Sequence, residues 1–495
     1  MIATERPNPE KTMRQFNGRS APAVWNLLLP LIALVVAAWL SFQLAELGLE
    51  KFDLALAGGR KYATFPSWET HLGISLSYLL LWLLYLVWLS RRQRPSLGRP
   101  FRAVLRSITL FILLAFLAYP LGNDIYLYLH TGLMNLSDVN PFLVGTKHFT
   151  SELSSLVDWG QPSTYGPLSH LLFTGSAQLL AIHPLLAIYA FKGICLGLHL
   201  LNGYLLWSLL PVLEREAVVT AYLLNPLLLL EQVASGHIDV LVCTCTIVLI
   251  GCLQEQRYAA AFVALWAGFL TKTFPLLWMP LVGVWLIRHR RWLDLLWAAV
   301  FSVVLLVGLG STVLPAPEAW RSLLNPGVAG QYQASLLALV RSALFWLGGS
   351  GFSMLTPALT KHLLLQLGQY SLLIYGLFYG WTLLQGLTKR SDRLPNLIAE
   401  LGWVILTLFL FATPWLMPWY PSVLIPIAAL VPQDRLFRLT TFTFCLSSSC
   451  TYLLLRHDGL KGLVVVGLPL LVLGLGSFLA PPQVSTSGTA QTQNV

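Results

Sequence analysis

The chain has 495 residues, of which 56% are hydrophobic and only 11% are charged, and its mean hydropathy is +0.68. So much apolar surface exceeds what a water-soluble core can absorb, which excludes an ordinary soluble protein and predicts an all-α polytopic membrane protein. The net charge of +10 does not indicate a nucleic-acid partner, because the basic residues lie in small clusters beside apolar runs and not along one solvent face.

The two ends of the chain are polar and poor in aromatic residues. Residues 1–21 and 481–495 are therefore predicted to be disordered tails. Basic clusters such as Arg288/Arg290/Arg291 and Arg435/Arg438 fall on one side of the membrane if both tails are cytoplasmic. We expect residues 22–480 to form a single transmembrane domain.

Apolar runs recur along the chain, and a spanning helix needs about 20 mostly apolar residues. The first three runs cover Ala23–Leu47, His71–Ser90 and Ala103–Pro120, and a polar outer loop, residues 121–183, follows them. This loop is too long to be a mere connector. Its last third, Leu168–Ile182, is predicted to be a helix at the outer membrane interface.

Eleven further apolar runs follow the loop, which brings the prediction to about 13 to 14 transmembrane helices. They cover Pro184–Pro211, Ala217–Glu231, Val240–Leu253, Ala259–Leu270, Phe274–Ile287, Leu293–Leu314, His362–Leu387, Leu394–Ala412, Trp419–Val431, Leu439–Leu455 and Leu463–Leu479. By the positive-inside rule, under which cytoplasmic loops are enriched in Lys and Arg, a second outer loop, residues 315–361, lies on the same side as the first.

The most informative single residue is Asp124, which comes four residues after the end of the third apolar run. Its carboxylate is predicted to lie at the outer water boundary, where it is placed for chemistry on a lipid-borne substrate. The same loop contains Asn140-Pro141 and Tyr165-Gly166-Pro167. The simpler alternative is that Asp124 caps a helix or is a solvated loop acid.

Other polar clusters are predicted to meet on the same outer face. They are the segment Glu231–Asp239 with His237, then Lys272, then the pair Trp419-Tyr420. Each has a structural alternative: His237 and Asp239 would cap a helix turn, Lys272 would extend to lipid headgroups, and the aromatic pair would belong to an interfacial belt. Arg321 and Arg341 lie in the second outer loop, and their alternative role is that of solvated surface cations.

These stretches together resemble the GT-C superfamily of membrane glycosyltransferases, and most closely the bacterial polyprenol-phosphomannose-dependent mannosyltransferases. The resemblance is carried, in family order, by Asp124-Ile125-Tyr126-Leu127-Tyr128 with Gly132, Asn140-Pro141-Phe142, Tyr165-Gly166-Pro167-Leu168, Asn225-Pro226 followed by Glu231, Gly236-His237-Ile238-Asp239, Thr271-Lys272 and Pro418-Trp419-Tyr420. Two positions depart from the family pattern, which often has Asn at Ile238 and Arg at Lys192. The resemblance implies a helical bundle in a bacterial-type cytoplasmic (inner) membrane, whose large first outer loop carries interfacial helices and a catalytic carboxylate.

The chemistry of glycosyl transfer assigns a role to each group. A sugar hydroxyl is a weak nucleophile, so a carboxylate within hydrogen-bond reach would accept its proton, and Asp124 is the predicted base. A departing polyprenyl phosphate needs a cation, for which Lys272 is the first candidate and Arg321 or Arg341 the second. The remaining predicted substrate-binding residues are Tyr126, Tyr128, Asn140, Tyr165, His237, Asp239, Trp419 and Tyr420.

The expected reaction is transfer of a hexose, mannose by the resemblance, from a polyprenyl-phosphate sugar to a lipid-linked or polysaccharide acceptor on the outer face. No phosphate-binding glycine loop for a nucleotide sugar is evident. A metal site formed by Asp124, Asp239 and His237 is left open but is not indicated, because their spacing does not resemble a compact ligand set. The alternative function is a transporter or lipid flippase without transferase activity, although such a protein would place its polar groups near the bilayer midplane.

Overall fold

The computed structural model describes residues 23–56, 67–91, 98–324, 331–349, 356–388, 393–455 and 457–479. Within these ranges the chain forms 19 α-helices and one isolated β-bridge, between Gln333 and Trp415. The predicted all-α fold is therefore confirmed. The two predicted tails, 1–21 and 481–495, lie outside the described residues.

The helices are numbered here in chain order. The first seven are α1 (Ala23–Leu56), α2 (Trp68–Arg91), α3 (Phe101–Leu117), α4 (Asp124–Leu136), α5 (Pro167–Ala177), α6 (Pro184–Leu209) and α7 (Val212–Leu223). The next six are α8 (Asp239–Gln254), α9 (Tyr258–Phe269), α10 (Trp278–Arg288), α11 (Trp292–Ser311), α12 (Pro317–Leu324) and α13 (Leu336–Gly349). The last six are α14 (Pro357–Thr388), α15 (Leu394–Thr407), α16 (Ile425–Leu430), α17 (Arg435–Ser449), α18 (Asp458–Gly462) and α19 (Leu468–Leu479).

Several helices are long and apolar enough to cross a membrane, as the composition predicts. Six meet this condition: Leu28–Leu54, Trp68–Arg91, Pro184–Leu209, Trp292–Ser311, Leu394–Ala412 and Asp458–Phe478. A seventh span results if α7 and the π-helix Leu228–Ala234, which meet at a bend of 62°, are taken together. Five further apolar helices have 10–17 residues. The chain is a polytopic membrane protein, and the total of 13 to 14 spans stays a prediction.

Proline residues determine where the segments around the first long loop begin and end. Helix α3 stops at Leu117, three residues before Pro120, because proline disfavours the helical conformation of the residue that precedes it. Helices α5 and α6 each begin with a proline, whose fixed φ suits the first helical position and whose missing N–H leaves no donor unpaired there. The segment predicted as the first outer loop therefore contains α4 and α5 as ordered helices.

Helix α8 lies at the centre of the molecule. It packs against α6, α9 and the 3₁₀-helix Tyr420–Leu424, and most of its side chains are buried. The surrounding hydrophobic core contains residues from both halves of the chain, such as Leu228 and Val423. Because Asp239 is the first residue of this central helix, its carboxylate is held inside the protein.

Candidate active site

One large cavity, of about 1190 Å³, opens beside the start of α4. Its walls are formed by α1, by residues 119–127 and 155–165, by the 3₁₀-helix Phe274–Leu277 that precedes α10, and by residues 408–420 and 451–455. Five of the predicted site residues line it: Asp124, Tyr126, Tyr165, Trp419 and Tyr420. Segments that are far apart in the sequence thus form a single space of the size in which proteins bind small molecules.

Asp124 is the first residue of α4 and faces this cavity. Its side chain is 24% exposed, and its Oδ2 atom lies 3.5 Å from the Tyr165 hydroxyl, which donates to it, and 3.7 Å from Nε2 of His237. Burial, reinforced by the negative charge of Asp239 and opposed by Lys272, raises the pKa of Asp124 to about 6. A carboxylate of this kind is ionised at neutral pH and is a stronger base than a solvated aspartate.

Tyr165 is held in place by the segment that follows it. Gly166 donates to the Thr271 carbonyl oxygen at 3.1 Å, and Leu168 donates to the Leu270 carbonyl oxygen at 2.8 Å. A Cβ atom at Gly166 would lie 2.1 Å from the Leu270 carbonyl oxygen, so only glycine permits this close approach. The Tyr165-Gly166-Pro167 sequence therefore joins the first long loop to the turn that carries Lys272.

Lys272 and Asp239 form a close ion pair directly behind the cavity wall. The Lys272 ammonium donates to both carboxylate oxygens of Asp239, at 2.8 and 3.0 Å, and Asp239 is fully buried. Burial alone would lower the pKa of Lys272, but the charge of Asp239, together with Tyr420 and Asp124, keeps this pKa above its ordinary value. Lys272 is thus a fixed cation, 14% exposed, next to Asp124.

The aromatic pair Trp419-Tyr420 covers these charges. The Tyr420 ring lies 4.5 Å from the Lys272 ammonium in a cation–π contact. The Trp419 ring stacks on His237 with a centroid separation of 3.7 Å. Because both rings also line the cavity, they present flat faces to it while they shield the buried ionic groups from water.

His237 and Asp239 were predicted to contact substrate, but both are buried behind the cavity walls. His237 is 1% exposed, and Nδ1 of its ring lies 2.9 Å from the Glu231 carbonyl oxygen. Burial lowers the pKa of His237 to about 3, so its imidazole is neutral. These two residues therefore support the groups that line the cavity.

The structure does not place four other predicted residues on the cavity walls. The Tyr128 ring is buried in a stack with Phe173, at a centroid separation of 4.4 Å, and its hydroxyl lies 3.2 Å from that of Tyr165. Asn140 stabilises its own turn, because its side-chain amide donates to the Val313 carbonyl oxygen and its Oδ1 accepts from the Phe142 amide, both at 2.9 Å.

The two arginines of the second outer loop also lie elsewhere. Arg321 is an exposed residue of α12. Arg341 belongs to α13, where its guanidinium pairs with Asp458 at 3.0 Å. The positive-inside rule placed both on the outer side but carried no information about their distance from Asp124.

Several residues of the cavity are not among the predicted site residues. Lys51 and Trp159 line the cavity, as do Trp415 and Tyr452. Glu231 is fully buried next to His237, and the Tyr452 hydroxyl donates to it at 2.8 Å. The sequence places Glu231 at the end of an apolar run, in the segment Glu231–Asp239 predicted for the outer face, but assigns it no role in the site. The available signal was the charge itself, because an acid next to lipid is costly and is often functional.

A metal site was left open by the sequence. Within the described part of the chain, no group of three or more His, Cys, Asp or Glu side chains is arranged to hold a metal ion. Asp239 is paired with Lys272 through both of its carboxylate oxygens.

Residues 31–288, just over half of the chain, match the model of the MptA_B family, described as alpha-(1->6)-mannopyranosyltransferase, N-terminal domain. The chain belongs to this mannosyltransferase family. The matched region contains Asp124, Tyr165, His237, Asp239 and Lys272, and it ends before Trp419. Neither a search of curated proteins nor a search of solved structures gives a match.

Family membership identifies the protein as a glycosyltransferase that transfers mannose. The resemblance to membrane mannosyltransferases inferred from the ordered motifs is confirmed, and a transporter or flippase without transferase activity is not supported. The apolar helices and the family together describe an integral membrane mannosyltransferase.

Proposed function

We propose that this mannosyltransferase takes mannose from a polyprenyl-phosphate donor and transfers it to a hydroxyl of a lipid-linked or glycan acceptor on the outer face of the cytoplasmic membrane. The observation that carries the proposal is the position of Asp124: a partly exposed carboxylate with a raised pKa faces a large cavity beside a fixed cation. In this reaction Asp124 accepts the proton of the acceptor hydroxyl as that oxygen attacks the anomeric carbon.

The pairing of Asp239 supports a single-base mechanism. A retaining double displacement requires a second carboxylate about 5 to 5.5 Å from the first, with access to the anomeric carbon. Asp239 is fully buried and engaged by Lys272 through both oxygens. Direct displacement, with Asp124 as base and inversion at the anomeric carbon, is therefore the mechanism we propose.

Two lysines support an anionic lipid donor. Lys272 lies beneath Tyr420 on one side of the cavity, and Lys51 lines the cavity on the side of α1. Cations fixed in a site with little water stabilise the charge that grows on a departing phosphate. The Lys272 ammonium uses two N–H groups for Asp239, and within the described residues no side chain accepts from its third.

An apolar groove adjoins the cavity and suits the hydrocarbon tail of such a donor. It is lined by residues of α1, α2 and α3 and by the segment 224–234. Leu44 of α1 lines both the groove and the cavity, so a tail in the groove would present its phosphate to the cavity near Lys51. Burial of isoprene units there would contribute about 25 cal/mol per Å² of apolar surface.

The proposed sidedness is supported by the distribution of basic residues in the sequence. With cytoplasmic tails, the clusters at Arg288–Arg291 and Arg435/Arg438 lie inside, and the cavity lies outside. An outer active site has no supply of cytoplasmic nucleotide sugars, which agrees with a lipid-linked donor.

The donor is tested with the purified protein in liposomes. Radiolabelled mannose is offered either as polyprenyl-phosphate mannose or as a nucleotide-linked mannose, with a mannoside on an alkyl chain as acceptor. We expect labelled product only from the lipid-linked donor. Equal or faster transfer from the nucleotide sugar would contradict the proposed donor and leave the family activity standing.

The rate of transfer is expected to depend on pH through Asp124. Because its pKa is raised to about 6, the carboxylate is ionised above that pH and is progressively protonated below it. The rate should therefore fall about tenfold for each pH unit below about pH 6 and level off above about pH 7. We call this fall in rate at acidic pH the acid limb of the pH profile. A phosphodiester donor lacks the second ionisation that phosphate monoesters show near pH 6, so the donor does not obscure the acid limb. A rate that stays constant down to about pH 4.5 would contradict the proposed base.

A further inference from the structure

A chain of buried polar groups lies behind Asp124. His237 is 1% exposed and is fixed in orientation by its stack on Trp419. Its Nδ1 atom lies 2.9 Å from the Glu231 carbonyl oxygen. A carbonyl oxygen can only accept a hydrogen bond, so Nδ1 carries the proton and the neutral ring presents the lone pair of Nε2 on its other side.

That lone pair points towards the proposed base. Nε2 of His237 lies 3.7 Å from Oδ2 of Asp124 and, among the described residues, has no hydrogen-bond partner. A buried acceptor without a donor is rare, because it loses its hydration on folding. Ionised Asp124 cannot supply the missing donor, whereas protonated Asp124 can.

Glu231 and Tyr452 hold this arrangement from behind. The Tyr452 hydroxyl donates to Oε1 of Glu231 at 2.8 Å, and Oε2 of Glu231 lies 3.4 Å from Nδ1 of His237. The Tyr452 carbonyl oxygen is in turn 2.5 Å from Nε2 of His71 in α2. Both the carbonyl and the side chain of Glu231 therefore face the protonated nitrogen, which keeps the other nitrogen free to accept.

We infer that His237 is a positioning residue whose Nε2 accepts a hydrogen bond from Asp124 after Asp124 has taken the proton of the acceptor hydroxyl. This inference rests on the proposed function. As the acceptor oxygen forms its bond to the anomeric carbon, its proton moves to Asp124, and the electrons of the breaking carbon–oxygen bond leave with the phosphate. The hydrogen bond to His237 turns the protonated carboxyl away from the new glycosidic oxygen until the proton departs to water.

Other charged or titratable groups also face this pair. Asp124 is influenced by Lys272, Asp239, Tyr165 and Asp158, and His237 by Glu231 and Lys272. All of them are retained when only His237 is changed, so a shift of the acid limb in such a variant reports on the contact between His237 and Asp124.

The test is His237→Phe, which retains an aromatic ring against Trp419 but removes Nε2. A hydrogen bond to the protonated form favours that form, so its loss should move the acid limb of kcat down by about one pH unit. We also expect kcat above about pH 7 to fall about three- to tenfold, with little change in KM, because Asp124 becomes a weaker base. His237→Gln, whose amide oxygen can accept near the position of Nε2, should keep the acid limb close to that of the native protein.

The matched control is His199→Phe. His199 of α6 is also fully buried and stacked on an aromatic ring, that of Tyr222, at 5.5 Å, but it contacts none of the site residues. The His199→Phe variant should keep the acid limb at the same pH as in the native protein. An unshifted acid limb in folded His237→Phe overturns the inference, as does an equal shift in His199→Phe.

Folding is checked by size-exclusion chromatography and thermal unfolding, and His237→Leu serves as the second removal variant if His237→Phe does not fold. The proposed function fails separately: it is contradicted when the native protein has no acid limb or when Asp124→Asn is active. An active native protein with an acid limb that neither His237→Phe nor His237→Leu moves overturns the role of His237 alone.

Discussion

Asp124→Asn is expected to reduce the rate of mannosyl transfer by about 10² to 10⁴-fold, the usual contribution of a general base. The amide has nearly the shape of the carboxylate and can still contact the Tyr165 hydroxyl, but it cannot accept a proton. Because the acceptor hydroxyl is bound in both proteins, the loss should appear in kcat, with KM changed little. Initial rates with polyprenyl-phosphate mannose, measured over a range of acceptor concentrations, give both constants.

The matched control for this variant is Asp294→Asn. Asp294 is also in the first turn of its helix, α11, and its side chain is 27% exposed compared with 24% for Asp124. It pairs with Arg291 at 3.0 Å and is remote from the cavity. We expect the transfer rate of Asp294→Asn to stay within about twofold of the native rate, because an exposed ion pair contributes little to stability. Near-native transfer by folded Asp124→Asn would remove Asp124 as the base.

The site residues from Asp124 to Lys272 could be predicted because they belong to short local motifs. Asp124 lies four residues after an apolar run, and Tyr165 lies three residues before the predicted interfacial helix. His237, Asp239 and Lys272 lie in the short polar breaks between predicted spans. Topology alone brings such positions to one side of a membrane protein. The structure extends this prediction, since it shows Lys272 paired with Asp239 and His237 next to Asp124.

The contributions of Glu231, Tyr452 and Lys51 depend on how separate helices pack, which periodicity and charge do not determine. Tyr452 comes 221 residues after Glu231, to which its hydroxyl donates. The same limitation explains Arg341: the sequence places it in an outer loop, but only the packing of α13 against α18 brings it to Asp458. Three π-helical segments, Leu228–Ala234, Leu408–Ala412 and Leu463–Gly467, also have no clear signal in the sequence.

The buried ion pair predicts a second large effect, that of Lys272→Met. Removal of the ammonium leaves the carboxylate of Asp239 buried without a counter-charge, which costs about 3 to 5 kcal/mol of folding stability. Transfer is expected to fall about 10² to 10³-fold as well, because the departing phosphate loses a fixed cation. Thermal unfolding and transfer rates in liposomes measure the two effects on the same preparation.

A double variant separates the structural effect of Lys272 from its catalytic effect. Lys272→Met combined with Asp239→Asn removes both charges of the pair, so most of the lost stability should return while transfer stays low. Lys461→Met is the matched control: Lys461 is 3% exposed and pairs with Asp458 at 3.2 Å, but Asp458 is 51% exposed and keeps its ion pair with Arg341. That control should retain native transfer. If the double variant instead recovers transfer together with stability, Lys272 only neutralises Asp239, and the cation for the phosphate must be sought on the α1 side of the cavity, at Lys51.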